Sequence, residues 1–386
     1  MRTALGTVLL AAALVAGIGA SPADAPAASA GAAGPGTAAA PARLADTGLF
    51  AADGSIDPRN LPYSPQYPLW TDGAEKARWI FLPAGSRIDV GDVDAWRFPV
   101  GTKLWKEFAF AGHKVETRLI WHRVEGDWVY AAYVWNDEQT DAVLAPADGV
   151  PDAWEIAPGK RHAVPGTADC RACHEGGASR ALGFSALQLS DDRDPLAPHA
   201  EPLPPGAVTL ASLAAAGRLE PPRPELVTSP PRIRSADPLA RAALGYLAGN
   251  CASCHNGDGP LARLGLRLEH DVDGASGAPE PALASAVDAA GRWFVPGVPA
   301  DSSRIVAPGA PRHSALLHRM ASRRPSSQMP PLGSVIADAE GLRLVRTWIE
   351  GLPLTDAGQL HGAAHVQAGV GHPARTDGPQ AHRETR

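Results

Sequence analysis

Cysteine and methionine are scarce: 386 residues contain four of the first and three of the second. So few cysteines exclude a disulfide scaffold for a chain of this size. Basic charge is not in excess either, since 35 Lys and Arg face 41 Asp and Glu for a net charge of −6. That balance argues against a nucleic-acid binder, which would set surplus Lys and Arg against phosphate. Beyond the N-terminus no run is long and apolar enough to span a membrane, and neither a Gly-rich phosphate loop nor a recognisable catalytic triad stands out. Glycine and proline are plentiful, at 40 and 38 residues without a three-residue period. This excludes collagen and predicts loop-rich domains joined by stiff linkers. With 45% hydrophobic and 20% charged residues the chain can bury a core, and its length allows about two domains.

The N-terminus has the order of a secretory signal: Met1-Arg2, an apolar stretch from Ala4 to Ile18, then small residues to Ala20. Cleavage after Ala20 is expected, with Ala25 as a second point that Pro26 disfavours. The stretch is shorter than the roughly 20 apolar residues of a spanning helix. The mature protein is therefore expected in the periplasm or secreted, and losing only Arg2 takes its charge from −6 to −7.

Residues 21–43, almost all Ala, Pro, Gly and Ser, read as a solvated tether. Eight of the ten tryptophans then fall within 85 residues, Trp70 to Trp154, marking a unit with an aromatic core. Val115–Val124 and Trp128–Trp135 are β-branched and aromatic, and Glu125-Gly126-Asp127 supplies a hairpin turn. Alternation puts Ile120 and His122 on one face and Leu119 and Trp121 on the other. A mostly β module over 44–200 is expected, followed by an extended Pro-rich connector over 201–234. From residue 235 the period becomes helical. Leu239, Ala242, Ala243, Tyr246 and Leu247 share a face, with Asp237 as N-cap, Pro238 at the first position and Gly249 at the end. Further helices are expected over Ser314–Ala321 and from Asp338 to Gly351. The tail 354–386, with His361, His365, His372 and His382, has no periodicity and reads as disordered.

All four cysteines lie in two copies of one pattern, Cys170-Arg171-Ala172-Cys173-His174 and Cys251-Ala252-Ser253-Cys254-His255. C-x-x-C-H is the attachment signature of c-type haem: two thiols one turn apart form thioethers, and the next histidine is held beneath the iron. Zinc ribbons pair C-x-x-C motifs over about 15 to 20 residues, whereas 77 residues separate these pairs. Thioredoxin-like motifs would require a βαβ context, and a disulfide within C-x-x-C closes almost no loop. Export agrees with covalent haem, which is attached outside the cytoplasm.

Electron-transfer haems usually carry a sixth ligand, Met or His. Met329 lies in the proline-stiffened loop Ser327-Gln328-Met329-Pro330-Pro331-Leu332-Gly333, 74 residues past His255, and is assigned to the second haem. Met320 follows Leu316 and Leu317 at helical spacing and reads as core. The first haem has no methionine left; His113, His122, His162 and His199 are the candidates, or the position is open.

From Ser235 to Leu352 the chain resembles a class I cytochrome c domain, through the helix into C-x-x-C-H, the Met-Pro-Pro loop and the helix carrying Trp348. From Leu44 to Leu352 it also resembles a family of exported dihaem c-type cytochromes. Segments 67–76, 96–102, 134–141 and 182–189 carry that likeness. The resemblance implies an α+β multidomain protein, a Trp-rich mostly-β module joined to an all-α class I cytochrome c domain. It implies two haem c groups held by Cys170, Cys173, His174, Cys251, Cys254 and His255, with Met329 as a further ligand. Electron transfer is the implied role, with a periplasmic redox protein, a dehydrogenase or an exported parallel β-helix protein as partner. A carrier needs no acid, base or nucleophile of its own. A dihaem peroxidase or oxygenase with an open first haem is the enzymatic alternative, and carbohydrate or partner recognition by exposed tryptophans is the third reading.

Overall fold

The computed structural model describes residues 39–274 and 277–353. The expected signal segment, the expected tether up to residue 38 and the tail 354–386 lie outside the described residues. The chain divides into units Met1–Ala39 and Ala40–Arg386, and all described residues except Ala39 belong to the second.

The elements run in the order β1 (Leu61–Pro62), β2 (Glu75–Phe81), β3 (Ile88–Asp89), β4 (Lys103–Phe110), β5 (His113–Val124), β6 (Asp127–Trp135), β7 (Ala142–Leu144), β8 (Val150–Ala157) and β9 (Lys160–Val164). They continue with α1 (Thr167–His174), α2 (Leu210–Ala215), β10 (Leu219–Glu220), α3 (Glu225–Thr228), α4 (Pro238–Cys251), α5 (Pro281–Ala286), α6 (Ala315–Ala321) and α7 (Ala339–Gly351). A six-stranded antiparallel sheet in the order β1-β2-β4-β5-β6-β7 forms the frame. The β5–β6 hairpin forms where its sequence predicts, around Gly126 at φ +74°.

The two faces of this sheet differ because side chains alternate along each strand. One face carries Trp79, Trp105, Leu119, Ala131, Tyr133 and Trp135 beneath Leu44, Leu49 and Phe50. Buried indoles there find partners: Trp105 Nε1 donates to Thr47 Oγ1 and Trp135 Nε1 to Thr117 Oγ1, both at 3.0 Å. Each such large side chain contributes about 1.5–3 kcal/mol through burial. On the other face Ile80 and Leu104 join Trp96, Phe98 and Phe184 in a second core. Arg78, Lys106 and Arg118 share that face.

The stretch 201–234 is more than an extended connector. Residues 206–220 contain no proline, and α2 forms there with Thr209 Oγ1 accepting from Ser212 N. Leu210, Leu213, Leu219 and Leu226 are buried in the same core as Ile80.

The expected all-α class I cytochrome c domain is overturned. Among the described residues of 235–353, α4, α5, α6 and α7 and two single 3₁₀ turns stand between long irregular segments, and the helical core is completed from outside that range by Tyr67 and Leu187. Helix α4 is capped at Asp237, whose carboxylate accepts from Leu239 N at 3.0 Å. It runs past the expected stop at Gly249 to Cys251. Gly249 and Gly245 serve close approach instead: a Cβ would overlap the Tyr67 carbonyl at the first and the Tyr67 ring at the second. Tyr67 OH donates to Asp194 at 2.9 Å, and Trp70 N to Asn250 Oδ1 at 2.7 Å. Apolar burial across β and α parts thus makes one unit where a helical domain was expected. Among the described residues no helix is long and apolar enough to cross a membrane.

Candidate functional site

Hairpin β8–β9 delivers the chain to α1, whose N-terminus is tied by Asp169 accepting from Gly166 N at 3.0 Å. A carboxylate in the first turn suits the helix dipole. On α1 Cys170, Cys173 and His174 stand at i, i+3 and i+4, one face of a helix. The His174 Nδ1 lies 2.7 Å from the carbonyl of Arg180. A carbonyl only accepts, so Nδ1 holds the proton and Nε2 keeps its lone pair, the tautomer an Nε2 metal ligand requires. Burial pushes this imidazole down to about 4, so it is neutral near pH 7.

The second motif starts on the last residue of α4 and turns at once, with His255 N donating to Cys251 O at 2.9 Å. His255 Nδ1 is buried without a partner among the described residues. All four cysteines are free and half-buried. Burial raises the Cys170 thiol and pushes Cys251 up to about 12. Cys173 and Cys254, the second cysteines of the two motifs, share a hydrogen bond that lowers the Cys254 thiol and raises that of Cys173.

The two motifs meet backbone to backbone. Asn256 Nδ2 donates to Gly176 O at 2.9 Å and to Ala252 O at 2.8 Å, while its Oδ1 accepts from Asp258 N and Gly259 N at 3.0 and 2.7 Å. A Cβ on Gly176 would overlap the Ser253 carbonyl, and one on Gly259 would overlap the Gly176 carbonyl. Glycine is required at both positions by this contact. Sequence reasoning missed Asn256 as the clamp; its one local signal is the Asn-Gly-Asp-Gly run directly after the motif.

Both motifs open onto one cavity of about 1210 Å³. Among the residues that border it, Leu268 N donates to His255 O at 2.8 Å, the Tyr130 ring lies 5.7 Å from that of His174, and Lys106 and Arg118 act on His174 electrostatically; Met329, Leu316, Trp293 and Leu104 border it as well. Met329 N donates to Arg319 O at 3.0 Å, which anchors the loop to the end of α6. Met320, on α6, is buried in the helical core and also touches the cavity.

None of the four candidate histidines borders this cavity. His113 stacks on Trp154 at 4.0 Å. His122 stacks on Trp128 at 4.5 Å, with Nδ1 2.9 Å from Phe98 O. His199 pairs with Asp338 at 2.9 Å. His162 is enclosed between Asp72 at 3.3 Å and Glu116 at 3.0 Å, and only 1% of its surface is exposed. Asp72 also accepts from Val335 N and Ile336 N at 2.7 and 2.9 Å, just past the Met329 loop. A histidine not singled out from sequence, His270, does border the cavity, its Nδ1 2.9 Å from Glu280. Only the fold could reveal it, since no motif surrounds it.

Most tryptophans turn inward or are half-buried, including Trp96, Trp105 and Trp135 in the cores. Among the described residues no group of three or more His, Cys, Asp or Glu is placed to hold a bare metal ion, the four cysteines included. Comparison of the chain with protein-family models, with curated proteins and with solved structures finds no match in any of the three.

Proposed function

We propose that this chain is an exported dihaem c-type cytochrome that relays electrons between redox partners. The observation that carries this reading is the meeting of the two C-x-x-C-H motifs. Separated by 77 residues in sequence, they are clamped together by Asn256, Gly176 and Gly259 against one cavity.

The residues present fit two covalently attached haems. Cys170 and Cys173 project from one side of α1, and Cys251 and Cys254 flank the turn that ends α4. His174 offers a neutral Nε2 to the cavity with Nδ1 committed to Arg180, and the orphaned, buried Nδ1 of His255 marks a second imidazole whose surroundings are incomplete without an occupant. Met329 borders the cavity. Bound haem would supply a one-electron iron couple. The chain's own work is to hold two such groups within contact range, keep water from them with apolar walls, and set each potential through its ligands and nearby charge. A net charge of −6 favours docking to a basic patch on an exported redox protein or dehydrogenase.

Oxidised and reduced spectra with a potentiometric titration test the reading. Two covalent haems, retained on a denaturing gel, are expected; their absence overturns it. Met329→Ala should lower the potential of one haem, by the loss of a thioether ligand, and leave the other in place. A shift of both or neither refutes the ligand assignment.

A second reading, peroxidase-like chemistry at the first haem, gains from the engagement of His113, His122, His162 and His199 elsewhere. A high-spin ferric haem that reacts with peroxide would favour it over the carrier, and two low-spin haems would remove it.

A further inference from the structure

The sheet face that looks into the cavity carries a row of cations. The register sets Arg78 on β2 opposite Lys106 on β4, and Lys106 opposite Arg118 on β5. Neighbouring strands lie about 4.7–4.9 Å apart, so three positive side chains stand side by side, and all three border the cavity.

The outer two have carboxylate partners within the protein. Arg78 Nη1 donates to Glu201 at 2.5 Å, and Arg118 donates to both oxygens of Glu116, Nε at 3.0 Å and Nη2 at 2.5 Å. Glu116 is shared further with His162. Lys106, in the middle, has the Phe108 ring at 4.8 Å, and among the described residues no carboxylate or hydrogen-bond acceptor reaches its ammonium. A lone ammonium between two guanidiniums on an apolar cavity wall is costly unless an anion sits against it. Burial holds the Lys106 amine well below its ordinary 10.5 and Glu201, already bonded to Arg78, pulls it only part of the way back, so an anion brought by the occupant would find an uncommitted cation here.

The position of the row says which anion. Starting from α1, the wall passes through Tyr130 on β6, whose ring lies 5.7 Å from that of His174. It then crosses Arg118 on β5, Lys106 on β4 and Arg78 on β2. A haem joined by its vinyl edge to Cys170 and Cys173 presents its two propionates at the edge away from those bonds. We propose that Lys106, flanked by Arg78 and Arg118, is the propionate-binding site of the haem held by Cys170 and Cys173. Lys106 is a positioning residue: it makes no bond to iron, and it fixes the tilt and charge environment of the ring. The inference rests on the dihaem reading.

Lys106→Met, close in length but without charge, is compared with Lys106→Arg in the full-length exported protein. Covalent haem content is measured first; a wild-type protein without two haems ends the underlying reading and not this inference alone. With both haems attached, Lys106→Met is expected to lower the potential of one haem, because an uncompensated propionate favours the oxidised iron. That haem should be the one Met329→Ala leaves unmoved, and Lys106→Arg should restore the wild-type value. Unchanged potentials in Lys106→Met overturn the proposal. So does a change of one haem from low to high spin, which would make Lys106 an iron ligand instead. Should Lys106→Met fail to accumulate, Lys106→Gln carries the same measurements with the same outcomes.

Discussion

The two C-x-x-C-H segments share three of their five residues, the two cysteines and the histidine, and little of their surroundings. The first sits on an eight-residue helix under a charged sheet wall, with His174 oriented by the Arg180 carbonyl. The second ends a 14-residue helix, has Leu268 N on its His255 carbonyl, and shares its cavity with the Met329 loop. Under the dihaem proposal, the same attachment chemistry placed against cations on one side and a thioether on the other would yield two different potentials. In that proposal the motif would supply the attachment and the walls the difference in potential.

That contrast depends on the two motifs being held in contact, so the most disruptive change is at the contact itself. Gly259→Ala or Gly176→Ala drives a Cβ into backbone of the other motif and should cost about 1–3 kcal/mol or more by overpacking. Gly257→Ala, with Arg267 Nε at an ordinary 3.5 Å, serves as the control. Thermal unfolding of the three variants should separate them; equal melting temperatures would mean the motifs do not touch. Asn256→Ala keeps the backbone but strips two carbonyls and two amides of their partner, and should cost about 1–3 kcal/mol. Denaturant titration measures this.

The smallest effect concerns the network joining the two surroundings. His162 touches Glu116, which pairs with Arg118 on the first motif's wall, and Asp72, which holds the backbone beyond Met329. Burial works against a charged His162, yet Asp72 and Glu116 raise it above its ordinary 6.5. Its contribution is therefore complete below 6.5 and lost as pH rises through the raised value. Burial likewise opposes a charged Glu116, but Arg118 and His162 hold it below its ordinary 4.5. That contribution is present above 4.5 and lost as pH falls through the lowered value. Wild-type stability should thus decline on both sides of this window. His162→Gln should lose the alkaline decline, so its deficit narrows as pH rises; a deficit constant with pH would show that folding does not shift the imidazole at all.

Local patterns were legible and non-local ones were not. Hairpin β5–β6 and helices α4, α6 and α7 form where alternation, caps and helical spacing place them, because each is set by residues within a few positions. Gly249 reads as a helix stop but is a contact with Tyr67, 182 residues away, and only the packed fold shows why a side chain is forbidden there. The separate cytochrome domain failed for the same reason: the helical period is real, but Tyr67 and Leu187 complete its core. His162 was a ligand candidate by proximity to Cys170, whereas two distant carboxylates claim both of its nitrogens.

The sequence by itself determined that all four cysteines fall in two C-x-x-C-H motifs, and the i, i+3, i+4 spacing alone sets Cys170, Cys173 and His174 on one face of their helix. Only the tertiary structure decided that the two motifs touch, that Asn256 clamps them, and that Arg78, Lys106 and Arg118 line up beside the cavity. Those arrangements depend on strand register and on chain segments far apart in sequence, whose meeting is driven by burial of apolar surface and leaves no local pattern to read.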